Sequence, residues 1–326
     1  MNFAIIGCGL IGQKRARTLG THRLTAVADT QLERARQLMA QFGPSAFVSD
    51  DWRQVVQRQD VDAVIIATTN DSLAPIGIAA ADAGKHVLIE KPAGRNALEL
   101  APLTSVAKAR RVSVKIGFNL RFHPAMLKAR EIFDAGGVGP LMFIRGRYGH
   151  GGRIGYDKEW RSDPRISGGG QMLDQGVHLV DLARWFAGDF TQVAGHIATY
   201  FWKMPVEDNA FVLLTTAGGQ VAHLQTSCSE WKNLFSLEIM GRTGKLQIDG
   251  LSGSYGVERL TYYKMLPQMG PPETSSWEYP GDDLSFKREF EHWMQCIEHG
   301  REPCGGLPDA LAVLEIVDKL YAENRK

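Results

Sequence analysis

The run GCGLIG, Gly7 to Gly12, constrains the fold more than any other feature, because it follows a short apolar stretch at residues 3–6 and opens a stretch of helical character. Between a strand and a helix, the first glycine makes a tight turn, the second lets a pyrophosphate approach the backbone, and the third lets helix and strand pack closely. Backbone N–H groups at the helix start then face the phosphates. The run therefore predicts a dinucleotide-binding unit with Gly7, Gly9, Leu10, Ile11 and Gly12 at the cofactor. The alternative is a glycine-rich turn with no ligand, and the strand–helix–strand context that ends in Asp29 argues against it.

Asp29 lies 17 positions after Gly12, at the end of the second predicted strand. A carboxylate there accepts hydrogen bonds from the adenosine ribose hydroxyls and repels a 2′-phosphate. Thr30 follows rather than an arginine. NAD is thus favoured over NADP, with Arg34 the residue through which a phosphate would still be accommodated. Asp29 also suits a second role, capping a helix that begins near residue 31.

Up to about residue 120, apolar runs at 3–6, 24–28, 46–48, 63–67, 87–89 and 112–116 alternate with helical stretches at 31–42, 73–83 and 97–110. Runs such as AVIIA suit strands buried on both faces of a doubly wound parallel sheet. Beyond residue 139 the strand candidates follow one another, at 141–148, 192–201, 209–216, 221–227, 235–240, 245–248 and 259–265, with turn pairs such as Gly218-Gly219 between them. Helices are expected at 171–186, 284–298 and 308–322, and the Pro/Gly stretch 267–280 as a surface loop. The fold class is α/β: a Rossmann domain over 1–120, then an α+β domain over 121–326 for substrate binding and oligomerisation.

The 37 basic and 36 acidic residues leave a formal charge of +1. That balance offers no global attraction to nucleic acid or an anionic membrane, so neither is expected as a partner. No leader-like or membrane-length apolar run is evident, and the expected location is the cytoplasm. Cys8, Cys228, Cys296 and Cys304 are scattered and read as reduced thiols. No HxxxH or CxxC spacing suggests a metal site.

Lys91 closes the fifth predicted strand, at the carboxyl end where doubly wound sheets bind ligands. An ammonium there can stabilise charge on the oxygen of a reacting alcohol; pairing with a nearby carboxylate is the structural alternative. Asp174 and His178 are four apart on a predicted helix and share a face, with Asp181 a turn further. Histidine suits proton transfer near neutrality; an ordinary polar helix stripe is the alternative, and anchoring is the preferred role of Asp181. Arg153, Lys158, Arg161 and Arg165 form a basic loop able to hold a substrate anion, or simply to be solvated.

The segments GKHVLIEKP, with Glu90, Lys91 and Pro92, GFNLRFHP at 117–124 and GGGQMLDQGVHLVDLARWF at 168–186 resemble the Gfo/Idh/MocA family, the glucose-fructose oxidoreductase and inositol dehydrogenase group. The resemblance implies a Rossmann domain followed by a domain with a large open antiparallel sheet, substrate between them, and sheets pairing into a homodimer or homotetramer. It puts Lys91, Asp174 and His178 in the catalytic positions, and Thr68, Thr69, Asn70, Glu90 and Lys91 beside the cofactor. Asn119, Arg121, Trp160 and Arg161 are the substrate candidates. The expected reaction is NAD(P)-dependent hydride transfer at a secondary alcohol or ketone of a sugar, cyclitol or nucleotide-linked sugar, the basic loop favouring the last. The rivals are a redox-neutral NAD-dependent glycosidase and a non-catalytic sugar or nucleotide sensor.

Overall fold

The computed structural model describes residues 1–324, and the chain divides into two compact units. The first comprises Met1–Phe118, Arg165–Gly168 and Phe286–Leu314. Its strands are β1 (Asn2–Ile6), β2 (Arg23–Ala28), β3 (Phe47–Ser49), β4 (Ala63–Ile66), β5 (His86–Ile89) and β6 (Val114–Ile116). All pair in parallel, in the order β3-β2-β1-β4-β5-β6. This is the dinucleotide-fold order, with its switch point beside β1. The apolar runs at 3–6, 63–66 and 87–89 are buried throughout, as the centre of a sheet covered on both faces requires, while the edge run at 46–48 is half-buried. The expected helix at 97–110 is divided into Ala97–Leu100 and Pro102–Arg110. Pro102 has no N–H to continue the ladder and starts the second segment instead.

The second unit comprises Asn119–Pro164, Gly169–Ser285 and the chain from Glu315. Eight strands form one open sheet in the order β14-β13-β12-β11-β7-β10-β9-β8: β7 (Leu141–Gly149), β8 (Phe190–Ala198), β9 (Asn209–Thr216), β10 (Val221–Ser227), β11 (Leu234–Gly241), β12 (Gly244–Asp249), β13 (Glu258–Lys264) and β14 (Glu273–Tyr279). Every pairing is antiparallel except β7 with β10.

Two expectations are corrected here. The stretch 267–280 is not all loop: Thr274, Trp277 and Tyr279 belong to β14, an exposed edge strand paired to β13. Its prolines lie outside the strand, where no ladder hydrogen bond is lost. The expected helix at 171–186 begins as one π turn, Met172–Gly176, before the α-helix Val177–Ala187. That widened turn falls on Asp174, so it and His178 do not follow strict α-helical spacing; π turns recur at functional sites. Among the described residues, no helix is long and apolar enough to cross a membrane.

Candidate cofactor and substrate sites

In the first unit, Gly7 adopts φ +91°, and a Cβ on it would sit 2.4 Å from the Ala67 carbonyl oxygen. A Cβ on Gly12 would sit 2.0 Å from the Gly7 carbonyl oxygen. Both positions admit glycine alone. At Gly9 the space a Cβ would fill is open, which leaves a cradle over the first turn of the helix Leu10–Ala16. The loop fits a dinucleotide pyrophosphate on that ground. Cys8 is buried within it; burial, then the charge of Asp29, pushes its thiol up to about 12, so it stays protonated.

Asp29 accepts the Cys8 amide at 2.8 Å with one oxygen and the Gln31 amide at 2.8 Å with the other. It thus orders the turn before the helix Leu32–Phe42, but that helix's N-cap is Gln31 and carries no side-chain cap, so Asp29 is not the cap itself. A carboxylate has about four acceptor positions, so capacity for ribose hydroxyls remains. At the end of β4, Thr69 Oγ1 donates to Asp71 at 2.6 Å and Asn70 Nδ2 donates to the Ser167 carbonyl at 2.8 Å.

Lys91 is half-buried directly after β5 and precedes a cis Pro92. Glu90 beside it is buried, its carboxylate held by Arg15, whose guanidinium also meets Glu289 at 2.7 Å. Lys115 reaches Glu289 at 2.9 Å. Two cations and two carboxylates thus form a buried cluster between the helix of the glycine loop and the end of β5.

In the second unit, Arg161 approaches Asp174 at 3.3 Å and stacks over Trp160, 4.6 Å from the ring centroid. Arg161 also lies 3.6 Å from Glu159, which takes Arg153 at 2.7 Å. Much of the loop's positive charge is met inside the loop and at Asp174. His178 is buried, and the Tyr148 ring packs edge-on against it at 6.1 Å. Arg121, expected at the substrate, is buried in a bidentate pair with Asp181 at 2.8 and 2.6 Å. Through this pair Asp181 ties its helix to the turn Asn119–Phe122. Asn119 is also buried and donates to Ser285 Oγ at 2.8 Å.

Residues 1–118 match the family model described as the oxidoreductase family, NAD-binding Rossmann fold, and residues 126–247 match the model described as the GFO/IDH/MocA C-terminal domain. The chain belongs to the Gfo/Idh/MocA family. It is 30% identical over 236 residues to a levoglucosan dehydrogenase of Pseudarthrobacter phenanthrenivorans, a match covering 68% of this chain but only 60% of that protein. It is 26% identical to a scyllo-inositol 2-dehydrogenase (NAD(+)) of Bacillus subtilis, over 96% of this chain and 91% of that one. A solved levoglucosan dehydrogenase in complex with NADH has the same fold, with TM-score 0.89, 22% identity and coverage of 99% and 98%. The family assignment makes the first unit an NAD-binding domain.

Several residues that shape this Gfo/Idh/MocA chain's second unit escape sequence reasoning. Glu207 is a buried loop carboxylate that accepts Gly170 N and Met172 N at 3.0 Å each and Tyr321 Oη at 2.8 Å. It holds the start of the segment carrying Asp174 and His178. Burial outweighs these hydrogen bonds and raises its pKa. No local pattern marks it. Tyr148 carries a signal: in β7 it alternates inward with Ile144 and Gly146, while Arg145 and Arg147 point outward.

Proposed function

We propose that the chain transfers hydride between NAD and a secondary alcohol or ketone of a free sugar or cyclitol. The observation that carries the reading is the pairing of Arg161 with Asp174, one helical turn before His178, on a segment that buried Glu207 holds in place, in a chain whose other unit binds NAD. Relatives named levoglucosan dehydrogenase, scyllo-inositol 2-dehydrogenase and D-apiose dehydrogenase support that substrate class. Because Arg153 and Arg161 are matched by Glu159 and Asp174, the case for a nucleotide-linked substrate weakens.

NAD, when bound, supplies the hydride acceptor. Gly7, Gly9, Leu10, Ile11 and Gly12 would hold its pyrophosphate and Asp29 its ribose, and Thr68, Thr69, Asn70 and Glu90 would line the cofactor. Lys91 stabilises charge on the substrate oxygen through its ammonium. His178 takes the alcohol proton, and Asp174 binds a hydroxyl and keeps the pair oriented. Trp160 and Arg161 bound the substrate. Arg121 and Asn119 act by holding the framework through Asp181 and Ser285.

The roles of 1–120 in cofactor binding and 121–326 in substrate binding and assembly belong to the same proposal, as does a cytoplasmic homodimer or homotetramer formed through the open sheet. On the face of that sheet that carries the Arg145–Glu238 pair at 2.8 Å, Leu213 is exposed. Light scattering of the purified chain tests the assembly. The activity is tested by NADH formation from NAD with levoglucosan, myo-inositol, scyllo-inositol and D-apiose. Steady NADH release with one of them is the expected result, and no release with any of them contradicts the reading.

A further inference from the structure

The chain passes from the first unit to the second between Gly168 and Gly169, and Gly170 follows. On the first unit's side, Gly168 holds φ +82° and lies directly against Arg95: a Cβ on it would sit 2.6 Å from the Arg95 Cβ. On the second unit's side, a Cβ on Gly169 would sit 2.1 Å from Tyr321 Oη, and one on Gly170 would meet the Glu207 carbonyl oxygen. The crossing is therefore fixed by close contacts at both of its ends.

The segment before the crossing, Arg165–Gly168, belongs to the first unit although the chain on either side of it does not. Two loops grip its backbone. Asn70 Nδ2, just after β4, donates to the buried Ser167 carbonyl at 2.8 Å, and the Arg95 guanidinium donates to the Arg165 carbonyl. Arg95 lies on the loop that leaves β5 and carries Lys91. Its own place is set by Glu99, which accepts the Arg95 amide at 3.0 Å with one carboxylate oxygen and Arg95 Nε at 2.8 Å with the other. Asn96 in turn caps the helix Ala97–Leu100 by accepting the Glu99 amide at 2.9 Å.

A surface arginine commonly pairs with one carboxylate and contributes little. Arg95 also reaches a backbone carbonyl 70 positions along the chain, and its planar fork of donors serves both partners at once. We propose that Arg95 is a positioning residue for turnover. By clamping Arg165–Gly168 it fixes the near end of the crossing whose far end Glu207 holds, and so sets where the segment bearing Asp174 and His178 starts. The proposal rests on the reading of those two residues as the pair that handles the substrate. Arg95 acts on the backbone that leads to them, not on substrate or NAD. A misplacement of about 1 Å at reacting groups costs on the order of a hundredfold in rate, so a released clamp is read in kcat.

The test uses the full chain with NAD and whichever of levoglucosan, myo-inositol, scyllo-inositol and D-apiose the wild type oxidises fastest. Arg95→Ala is expected to lower kcat about tenfold or more, with NAD affinity by isothermal titration within about twofold of wild type. Amide hydrogen exchange, read without substrate, is expected to quicken at least about fivefold at 165–170 and to stay unchanged in β1 to β6. Gly168→Ala forces the segment off Arg95 from the other side and is expected to reproduce both effects. With His178→Ala inactive, three results overturn this proposal alone: unchanged kcat in Arg95→Ala, unchanged exchange at 165–170, or a loss that spreads to NAD affinity and to exchange throughout β1 to β6. A His178→Ala variant as active as wild type, or a wild type that oxidises none of the four compounds, overturns the parent reading and this proposal with it.

Discussion

The Arg15 guanidinium and the Glu90 carboxylate meet at 2.5 Å with no exposure on the arginine side chain, one residue before Lys91. Only Nε of Arg15 makes an aligned hydrogen bond to Glu90, at 2.6 Å; the terminal nitrogens meet Glu90 and Glu289 as charge contacts. With Lys115 on Glu289, the cluster contains two positive and two negative charges. The geometry ties the helix after the glycine loop to the strand end that presents Lys91.

Neutralising one member leaves a buried charge uncompensated. Arg15→Met or Glu90→Gln is therefore expected to lower stability by about 3–5 kcal/mol in urea denaturation. The double variant Arg15→Met/Glu90→Leu leaves Lys115 and Glu289 matched, and is expected to cost less than either single change. Additive losses would show that the four charges do not act as one cluster.

Gly170 lies against the backbone of Glu207: a Cβ on it would sit 2.0 Å from the Glu207 carbonyl oxygen. Neither side of this contact is a flexible side chain. Gly170→Ala is expected to displace the start of the segment bearing Asp174 and His178, costing about 1–3 kcal/mol of stability. Turnover should fall at least about tenfold, since small misplacements of reacting groups are expensive. NAD affinity, a property of the other unit, should stay within about twofold; isothermal titration and steady-state kinetics on one preparation check both.

Asp208, next to Glu207, accepts the amides of Tyr200, Phe201 and Trp202 at 2.9, 2.7 and 3.0 Å, and Asn209 Nδ2 at 3.0 Å. Burial alone would raise its pKa, but Asn209 and the three amides outweigh it and hold the carboxyl below its ordinary value of 3.8. Below that value the unfolded chain takes up a proton that the folded chain refuses. The stabilisation is therefore complete above the ordinary value and is lost as pH falls through the folded one. Asp208→Ala is expected to cost about 2–4 kcal/mol at pH 7, with the gap to wild type closing as pH drops below 3.8. A gap independent of pH in urea titrations would refute the carboxylate's role.

Much of this was legible in the sequence because it depends on local chemistry. The turn requirements at Gly7 and Gly12, the apolar run of β4 and the hairpin pairs of the second sheet act over a few residues. The exceptions have local causes too: Pro102 divides a helix, and an exposed edge strand such as β14 shows no buried alternation. What the sequence hid are long-range pairs. Arg121 reads as a substrate ligand until Asp181, 60 positions away, takes up its guanidinium. Glu207 and Tyr321 are 114 positions apart, and no periodicity links them. Glu207 accepts amides at the start of the segment whose π turn contains Asp174, and neither that contact nor the widened turn has a periodicity that the sequence displays.

The central claim is that Lys91 acts on the reacting oxygen while the glycine loop and Asp29 hold NAD. The most direct measurement compares Lys91→Ala with wild type for NADH formation and, by isothermal titration, for NAD affinity. The expected result is a loss of turnover of about a thousandfold or more, with NAD affinity within about threefold of wild type. Turnover close to wild type in that variant, with NAD still bound, would contradict the account.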